Sequence, residues 1–307
     1  MHFIERLIQL IKEKHSVVCM GLDPRMEKEG EIPSYLIEQY EDPNAIILEF
    51  NKSLIETNHD LIPVIKPQMA FYEKYDALNA LKGTITFAHK NDLLVILDSK
   101  RNDIGTTSKA YADATFKIYK ADACTLNAYL GFDSIEPYLE FYNDKGLFIL
   151  VKTSNPSSHD FQDLFSVRID DINNDQIEIE KKNITLKRNY LHMAELVKEW
   201  GKELPKFYQY NNLGVVVGAT FPQELKSIRE IINNSFILIP GYGAQGAKAK
   251  DIKYGFHMNG IGGIVNSSRN IIYAYNKKTQ YPPEKYEQAA RDEILGMNNQ
   301  INKLIGL

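Results

Sequence analysis

The sequence has very little cysteine. Cys19 and Cys124 are the only two, and neither belongs to a Cys-x-x-Cys pair or to a Cys/His spacing of the kind that binds zinc. A metal centre built on cysteine and a disulfide framework are therefore both excluded. Each cysteine lies inside an apolar, strand-like run, which favours a buried free thiol in a reducing cytosol.

Long apolar runs and a strong charge of either sign are also missing. No run approaches the roughly 20 apolar residues that cross a bilayer, and residues 1–15 carry charges where a signal peptide would have an apolar core. The net charge is only -4, and the basic residues are dispersed along the chain. We therefore expect a cytoplasmic protein that binds neither nucleic acid nor membranes.

The length and apolar content permit one large core. The chain has 307 residues, of which 44% are hydrophobic, and it contains no low-complexity tract. Length alone would suggest two domains, but α/β barrels commonly reach this size as one. We expect a single domain over residues 1–307.

Short apolar runs alternate with longer amphipathic stretches along the chain. The apolar runs predict eight strands, at 16–22, 62–66, 93–98, 122–126, 146–152, 212–218, 235–239 and 261–265. The stretches with helical spacing are 46–58, 72–90, 107–120, 134–143, 190–202, 223–233 and 283–307. An eightfold repeat of strand and helix predicts an α/β fold with parallel strands, closed most simply as a (β/α)8 TIM barrel. A doubly wound open sheet is the alternative, because periodicity does not prove closure.

One segment interrupts this alternation. Residues 165–188 are polar and acidic at first and then form two alternating runs around a turn. This pattern predicts a β-hairpin-like insertion after the fifth strand. We interpret it as a decoration of the barrel in preference to an active-site lid, and not as a separate domain.

Charged side chains follow the predicted strands at their carboxyl ends, where barrels collect their chemistry. The third strand ends in Asp98 and Lys100, which alternation places on the same face, and Asp103 follows in the turn. Lys66 ends the second strand and Asp23 follows the first. Lysines and aspartates that face one cavity would keep each other ionised, which predicts a preorganised electrostatic site.

The ends of the last two strands predict a phosphate site. Such barrels often bind phosphate with the loops after strands seven and eight, where glycine allows the backbone N–H groups to approach closely. The candidate residues are Gly241, Gly243, Gln245, Gly246, Ser268 and Arg269. A plain turn and a surface arginine remain the simpler interpretation.

These residues also form a set of motifs that runs in order through nearly the whole chain. The motifs are Asp-x-Lys-x-x-Asp at Asp98, Lys100 and Asp103, Ile-Gly-Thr-Thr at 104–107, Gly-Leu-Asp-Pro at 21–24, Lys66, Thr-Ser-Asn-Pro at 153–156, and Pro-Gly-x-Gly-Ala-Gln-Gly at 240–246. In this combination the chain resembles the orotidine 5'-phosphate decarboxylases, and within them the longer branch that includes protozoan enzymes.

The resemblance implies a reaction. Enzymes of this family decarboxylate orotidine 5'-monophosphate to uridine 5'-monophosphate and CO2, the last step of de novo pyrimidine biosynthesis, without a metal or an organic cofactor. It also implies a catalytic network, in which Lys100 opposes the charge of a C6 carbanion and protonates it. The implied catalytic residues are Lys66, Asp98, Lys100 and Asp103.

The resemblance implies substrate contacts and a homodimer as well. Asp23 would bind the ribose hydroxyls and Ser154 the pyrimidine ring, while Asp103 and Thr107 would reach into the active site of the partner subunit. Gln245 and Arg269 would bind the 5'-phosphate, and Pro240 and Ser268 are further implied substrate-binding residues. Gln68 has no firm role, and the 165–188 insertion is longer than the family core requires.

Simpler interpretations stay open. Asp98 and Lys100 could form a structural ion pair, and Asp23 and Ser154 could only shape turns. Two other functions are also considered. A sugar-phosphate decarboxylase or aldolase-like relative would use magnesium and an acidic ligand where this chain has Lys66. A non-catalytic phosphate-binding barrel would be expected to have a broken charge network.

Overall fold

Eight parallel strands form the centre of the protein. The computed structural model describes residues 1–28, 30–167, 186–243 and 246–307. The barrel strands are β1 (Val18–Leu22), β2 (Val64–Pro67), β3 (Leu94–Arg101), β4 (Ala123–Leu126), β5 (Gly146–Lys152), β6 (Leu213–Val217), β7 (Ile237–Pro240) and β8 (Gly263–Ser267).

The strands close into a barrel in sequence order. Each strand pairs in parallel with the next, and β1 pairs with β8 through Val18 and Val265, so the sheet has no free edge. The strands are almost entirely buried, as expected where helices cover the outside and side chains fill the inside. The predicted (β/α)8 barrel is therefore confirmed, and the open doubly wound sheet is excluded.

Helices surround the barrel. Those described are α1 (Phe3–Lys14), α2 (Ser34–Gln39), α3 (Pro43–Asn58), α4 (Met69–Lys74), α5 (Leu78–Lys90), α6 (Gly105–Asp113), α7 (Glu136–Leu139), α8 (Asn189–Trp200), α9 (Pro222–Ile231), α10 (Ala249–Ile252), α11 (Arg269–Ile272) and α12 (Tyr286–Ile305). The closing helix predicted near the C-terminus is α12, which stacks Tyr286 on Phe50 of α3 with ring centroids 4.9 Å apart.

Three predicted helices differ from the structure. The stretch 72–90 is two helices, because Asp76 adopts a left-handed backbone with φ 50° between α4 and α5. The stretch 107–120 is α6 followed by a π-helical turn at Ala114–Ile118. The stretch 134–143 contains only the short α7, preceded by a 3-10 turn. Helical spacing in these stretches indicated the apolar face correctly but did not show where the backbone hydrogen bonds change pattern.

Helix α1 was not predicted, although it covers the amino-terminal end of the barrel. It buries Phe3, Leu7 and Ile11 against the core. The ring of Phe3 lies so close to Gly146 that a Cβ there would be 2.4 Å from it. A glycine is therefore needed at the start of β5, where α1 packs.

The ends of the predicted insertion form a two-stranded antiparallel ribbon. Phe165–Ser166 pairs with Lys187–Arg188, with Phe165 opposite Arg188. This places the base of a hairpin-like excursion between β5 and α8, as predicted. The turn predicted inside it falls in 168–185, which lies outside the described residues. Among the helices that the structure describes, none is both long and apolar enough to cross a membrane.

Candidate active site

A cavity of about 340 Å³ opens at the carboxyl end of the barrel. Its lining comes from the ends of β1, β2, β3, β7 and β8, which are far apart in sequence. Seven of the predicted site residues line it, together with five others. The lining residues are Asp23, Arg25, Lys66, Gln68, Asp98, Pro240, Gly241, Tyr242, Asn266, Ser267, Ser268 and Arg269.

Asp98 is the centre of the charged network. Lys66 donates to its Oδ2 at 2.5 Å, and Gln68 donates to the same oxygen at 3.1 Å. The other oxygen, Oδ1, accepts from the Nζ of Lys100 and from the hydroxyl of Thr125, the latter at 2.8 Å. Both oxygens of a buried carboxylate are thus satisfied, two of the four donors being cations.

Lys100 reaches Asp98 from an unusual backbone conformation. Its φ is +49°, in the left-handed region, and the pairing of β3 with β4 shifts register between Leu97 and Arg101. The amide of Lys100 donates to Thr125 Oγ1 at 3.1 Å, which holds this bend. The two side chains lie on the same side, as predicted, but regular strand alternation is not the cause. Strained backbone of this kind is common where a side chain is aimed at a site.

Burial and ion pairing oppose each other in this network. Burial acts to raise the pKa of Asp98, but the ammonium groups of Lys66 and Lys100 outweigh it and hold that pKa well below its ordinary value. For Lys66, burial acts to lower the pKa, while the carboxylates of Asp98 and Asp23 raise it above its ordinary value. Lys66 and Asp98 are therefore both charged at neutral pH.

Asp23 lies beside this network with unused hydrogen-bonding capacity. Its Oδ1 is buried and has no hydrogen-bond partner among the described residues. Burial raises the pKa of Asp23, against the charge of Lys66. The backbone around it is fixed by Tyr273, which donates to Asp23 O at 3.0 Å and accepts from Arg25 N at 2.9 Å. The cavity therefore presents an oriented acceptor to a ligand hydroxyl.

The loop after β7 depends on glycine. Gly241, Gly243 and Gly246 have φ values of 99°, 74° and 90°, all in the region that favours glycine. A Cβ on Gly243 would lie 2.0 Å from the side-chain nitrogen of Asn270 in α11. The loop thus packs directly on the segment that carries Arg269, and both line the cavity.

Not every predicted site residue lies in this cavity. Asp103 accepts a hydrogen bond from the amide of Ile104 and forms no ion pair with any residue that the structure describes. Thr107 is exposed on α6. Ser154 follows β5 and packs against Gly218: a Cβ added to Gly218 would lie 2.9 Å from the Cβ of Ser154. Gln245 lies outside the described residues.

Sequence reasoning left several functional candidates without a role. Gln68 and Thr125 hydrogen-bond the central carboxylate, and the buried Asn266 leaves its Oδ1 without a partner among the described residues. Arg25 lines the cavity with its guanidinium over the ring of Phe71, 4.9 Å from the centroid. Their one signal in the sequence was a position at or just after the carboxyl end of a strand. Residues that only form turns occupy the same positions, so this signal does not identify a functional residue.

This arrangement can stabilise a developing negative charge. Two ammonium groups are held beside one buried carboxylate: Lys66 lines the cavity, whereas Lys100 is not among the lining residues and keeps 43% of its side chain exposed. No cluster of three or more His, Cys, Asp or Glu side chains suited to a metal is found within the described ranges. Both oxygens of Asp98 already accept from cations, which makes them poor ligands for another cation.

Comparison with known proteins identifies the family. The model of the orotidine 5'-phosphate decarboxylase / HUMPS family matches residues 16–282. The chain belongs to this family. It is 38% identical to the orotidine 5'-phosphate decarboxylase of Caldicellulosiruptor saccharolyticus, covering 96% of this chain and 97% of that protein. The identity to the enzyme of Petrotoga mobilis is also 38%, covering 99% of both.

A solved structure supports the same assignment. The OMP decarboxylase of Leishmania donovani superposes with a TM-score of 0.75 at 29% identity, covering 100% of both chains. The family membership makes this chain a decarboxylase of the final step of pyrimidine biosynthesis.

Proposed function

We propose that this chain converts orotidine 5'-monophosphate to uridine 5'-monophosphate and CO2 without a metal or an organic cofactor, as a single barrel domain in the cytoplasm. One observation carries the proposal: a lysine ammonium group lies on each oxygen of the buried Asp98 carboxylate. The cytoplasmic location is supported by Cys19 and Cys124, which are both buried free thiols.

The reaction requires a cation near C6 of the pyrimidine. When the bond to the carboxylate breaks, CO2 leaves and the electron pair stays in an orbital in the plane of the ring, where the π system does not absorb it. Lys100 stabilises this pair by its charge and then transfers a proton from Nζ to C6. Its partly exposed side chain regains a proton from solvent.

Asp98 acts on the substrate before the bond breaks. Its carboxylate is ionised and would lie beside the substrate carboxylate, so repulsion between them falls as CO2 forms. Lys66 and Gln68 hold Asp98 in place through Oδ2. The network therefore positions Lys100 and also destabilises the ground state of the bound substrate.

Other residues at the carboxyl end of the barrel are proposed to bind the nucleotide away from the reacting carbon. Asp23 Oδ1 accepts from a ribose hydroxyl, and Ser154 hydrogen-bonds the pyrimidine. Gln245 and Arg269 are proposed to bind the 5'-phosphate, and Pro240 and Ser268 are further proposed substrate contacts; Pro240, Ser268 and Arg269 line the cavity. Binding energy from the phosphate is then available to the transition state.

A homodimer with shared sites is part of the proposal. Asp103 and Thr107 are proposed to complete the partner's site. Their surroundings support this role, since Ile104 between them is 51% exposed and Thr107 is itself exposed. An apolar side chain at this position is better covered by a second subunit than by water.

Product analysis tests the reaction. Purified protein incubated with orotidine 5'-monophosphate should yield uridine 5'-monophosphate and an equal amount of CO2, measured by chromatography and by gas release. Persistence of the substrate, with the protein folded by circular dichroism, would show that the reaction is assigned wrongly.

A mixing experiment tests the shared site. Lys100→Ala and Asp103→Ala should each be inactive as homodimers. After subunit exchange, each heterodimer pairs one doubly damaged site with one intact site, so random exchange should restore about a quarter of the wild-type turnover. Proven exchange without recovery would contradict a site shared between subunits.

A further inference from the structure

A third lysine at the carboxyl end of the barrel lies outside the charged network of Lys66, Lys100 and Asp98. Lys152 is the last residue of β5, and its side chain is fully buried. We infer that Lys152 is a positioning residue that fixes the β5 loop so that Ser154 meets the pyrimidine. This inference rests on the role proposed for Ser154.

The ammonium group of Lys152 binds the far end of the loop that it begins. Its Nζ donates to Asp163 Oδ1 at 2.9 Å and to Ser158 Oγ at 3.0 Å. Both partners lie in the segment that follows β5. A buried charge therefore closes the loop onto the end of its own strand, and loss of that charge would release the loop.

Two aromatic rings cover this ammonium group. The Nζ lies 4.4 Å from the ring centroid of Phe221 and 6.0 Å from that of Tyr190. Tyr190 lies in α8 and Phe221 immediately precedes α9, so the loop is anchored to the helical layer around the barrel. Cation–π contacts of a desolvated ammonium favour this one position of the side chain.

Gln162, next to Asp163, hydrogen-bonds Thr153, the residue before Ser154. Gln162 accepts from the amide of Thr153 at 3.0 Å and donates to its hydroxyl at 2.8 Å. Gln162 and Asp163 thus hold Thr153 and Lys152, the two residues that lead into Ser154. This closed loop therefore fixes the backbone that leads into Ser154.

The other side of Ser154 is fixed by β6. The amide of Gly218 donates to Lys152 O at 2.8 Å, and a Cβ on Gly218 would lie 3.0 Å from Ser154 Cα. Ser154 is therefore confined between the end of β6 and the loop that Lys152 closes. A small displacement of this loop would move its hydroxyl relative to a bound ring, and a shift of about 1 Å can cost about a hundredfold in rate.

The same strand provides a matched control. Lys145 precedes the other end of β5 and pairs with Asp122 at 3.7 Å, far from the carboxyl-end cavity. Lys145→Met and Lys152→Met remove equivalent charges from the two ends of one strand. A general effect of lost ion pairing on stability would appear in both variants.

The experiment combines a double-mutant cycle with two ligands. Lys152→Met, Ser154→Ala and the double variant are compared for kcat/KM and for inhibition by uridine 5'-monophosphate and by ribose 5-phosphate, which lacks the ring. We expect Lys152→Met to lower kcat/KM by about 10- to 100-fold and to add little to Ser154→Ala. Binding of uridine 5'-monophosphate should weaken, binding of ribose 5-phosphate should not, and Lys145→Met should change neither.

The other outcomes are equally distinct. Equal weakening of both ligands, or additive effects of the two substitutions, would overturn the inference. An unchanged kcat/KM in Ser154→Ala would instead refute the proposed role of Ser154, on which the inference rests. If Lys152→Met does not fold, Asp163→Asn replaces it, because Asp163 is 23% exposed and asparagine has nearly the same shape as aspartate. Asp163→Asn should weaken binding of uridine 5'-monophosphate but not of ribose 5-phosphate, to a smaller degree than Lys152→Met. Absence of this ligand selectivity would overturn the inference.

Discussion

Two buried cations at opposite ends of the barrel are stabilised in different ways. Lys66, at the carboxyl end, is paired with the carboxylate of Asp98 at 2.5 Å and lines an open cavity. Arg229, at the amino-terminal end, has no carboxylate within 4.0 Å in the part of the chain that the structure describes. Its guanidinium donates instead to four backbone carbonyls, those of Ile232, Ser235, Gly255 and Gly262.

These two kinds of partner indicate different roles: the charges at the carboxyl end serve function, and Arg229 at the amino-terminal end serves stability. The carboxylates raise the pKa of Lys66, whereas burial lowers the pKa of Arg229 to about 10. Arg229 satisfies carbonyls just before β7 and β8 and so joins their entry loops. At the carboxyl end the charges face a cavity and remain available to a substrate, in agreement with the division of labour in such barrels.

The largest expected effect is that of Lys100→Ala. Removal of the proposed proton donor and of its charge should lower kcat by about 10⁴-fold or more. The free energy of unfolding should change little, since the side chain is 43% exposed. Steady-state kinetics and urea unfolding measure the two effects. Lys187→Ala is the control, because it removes a lysine of similar exposure from an ion pair with Glu195. Near wild-type turnover in Lys100→Ala would refute the proposed mechanism.

Lys66→Met tests the cation that is buried with Asp98. Asp98 would keep its bonds to Lys100, Gln68 and Thr125, so the protein should fold with a loss of about 3 kcal/mol, at the low end for a broken buried ion pair. The value of kcat/KM should fall by about 10³-fold, because the carboxylate is no longer held in position. A stability loss with unchanged kcat/KM would make Lys66 a structural residue.

Arg229→Met is the matched substitution at the other end. Four carbonyls lose their donor, which should lower the free energy of unfolding by about 3 kcal/mol. Turnover per folded molecule should stay within about twofold of wild type, since the site lies at the opposite end. A large loss of kcat in folded Arg229→Met would show that the amino-terminal end of the barrel also affects catalysis, against the assignment of that end to stability alone.

The smallest effect is a pH dependence near Arg229. Burial, and then the charge of Arg229, lower the pKa of His257 from its ordinary value of 6.5. The folded protein therefore binds this proton less readily than the unfolded chain, so stability is present above pH 6.5 and is lost as the pH falls below it. His257→Gln should reduce that loss between pH 7 and pH 5 by less than about 1 kcal/mol, because the side chain is partly exposed.

At the carboxyl end, the pKa of Asp98 is shifted in a lower pH range than that of His257. The lowered pKa of Asp98 gives stability that is lost only as the pH falls below about 3.9, the value in unfolded chains. Urea unfolding of wild type and His257→Gln at several pH values measures the difference. Parallel curves for the two proteins from pH 7 to pH 5 would assign the pH dependence to other groups.

The sequence predicted the barrel and its charged centre for one physical reason. Buried parallel strands are continuous apolar runs, so a charged residue at the end of a run is conspicuous, as at Lys66 and Asp98. Eight such runs separated by helices predicted parallel strands, whereas the closure of the sheet is shown by the pairing of β1 with β8. What a charged strand end does not show is the bend at Lys100, whose positive φ depends on Thr125 of the neighbouring strand.

Other features depend on partners that are distant in sequence. Arg229 lies in a helix with an ordinary amphipathic pattern, and its burial is decided by carbonyls from two loops. Lys152 ends β5, and its position in the sequence does not show that its ammonium group pairs with Asp163. The roles of Ser154 and Asp103 stay predictions, because a single chain does not contain the ligand or the second subunit that they would contact.

The most direct test of the central claim is the rate of the reaction in a metal chelator. Initial rates of absorbance loss from orotidine 5'-monophosphate are measured for the purified protein after dialysis against chelator, and again after addition of excess Mg²⁺. Since Lys66, Lys100 and Asp98 supply the charge, we predict the same rate in both conditions. Loss of activity in chelator with recovery in Mg²⁺ would contradict the account and place the chemistry with the magnesium-dependent relatives.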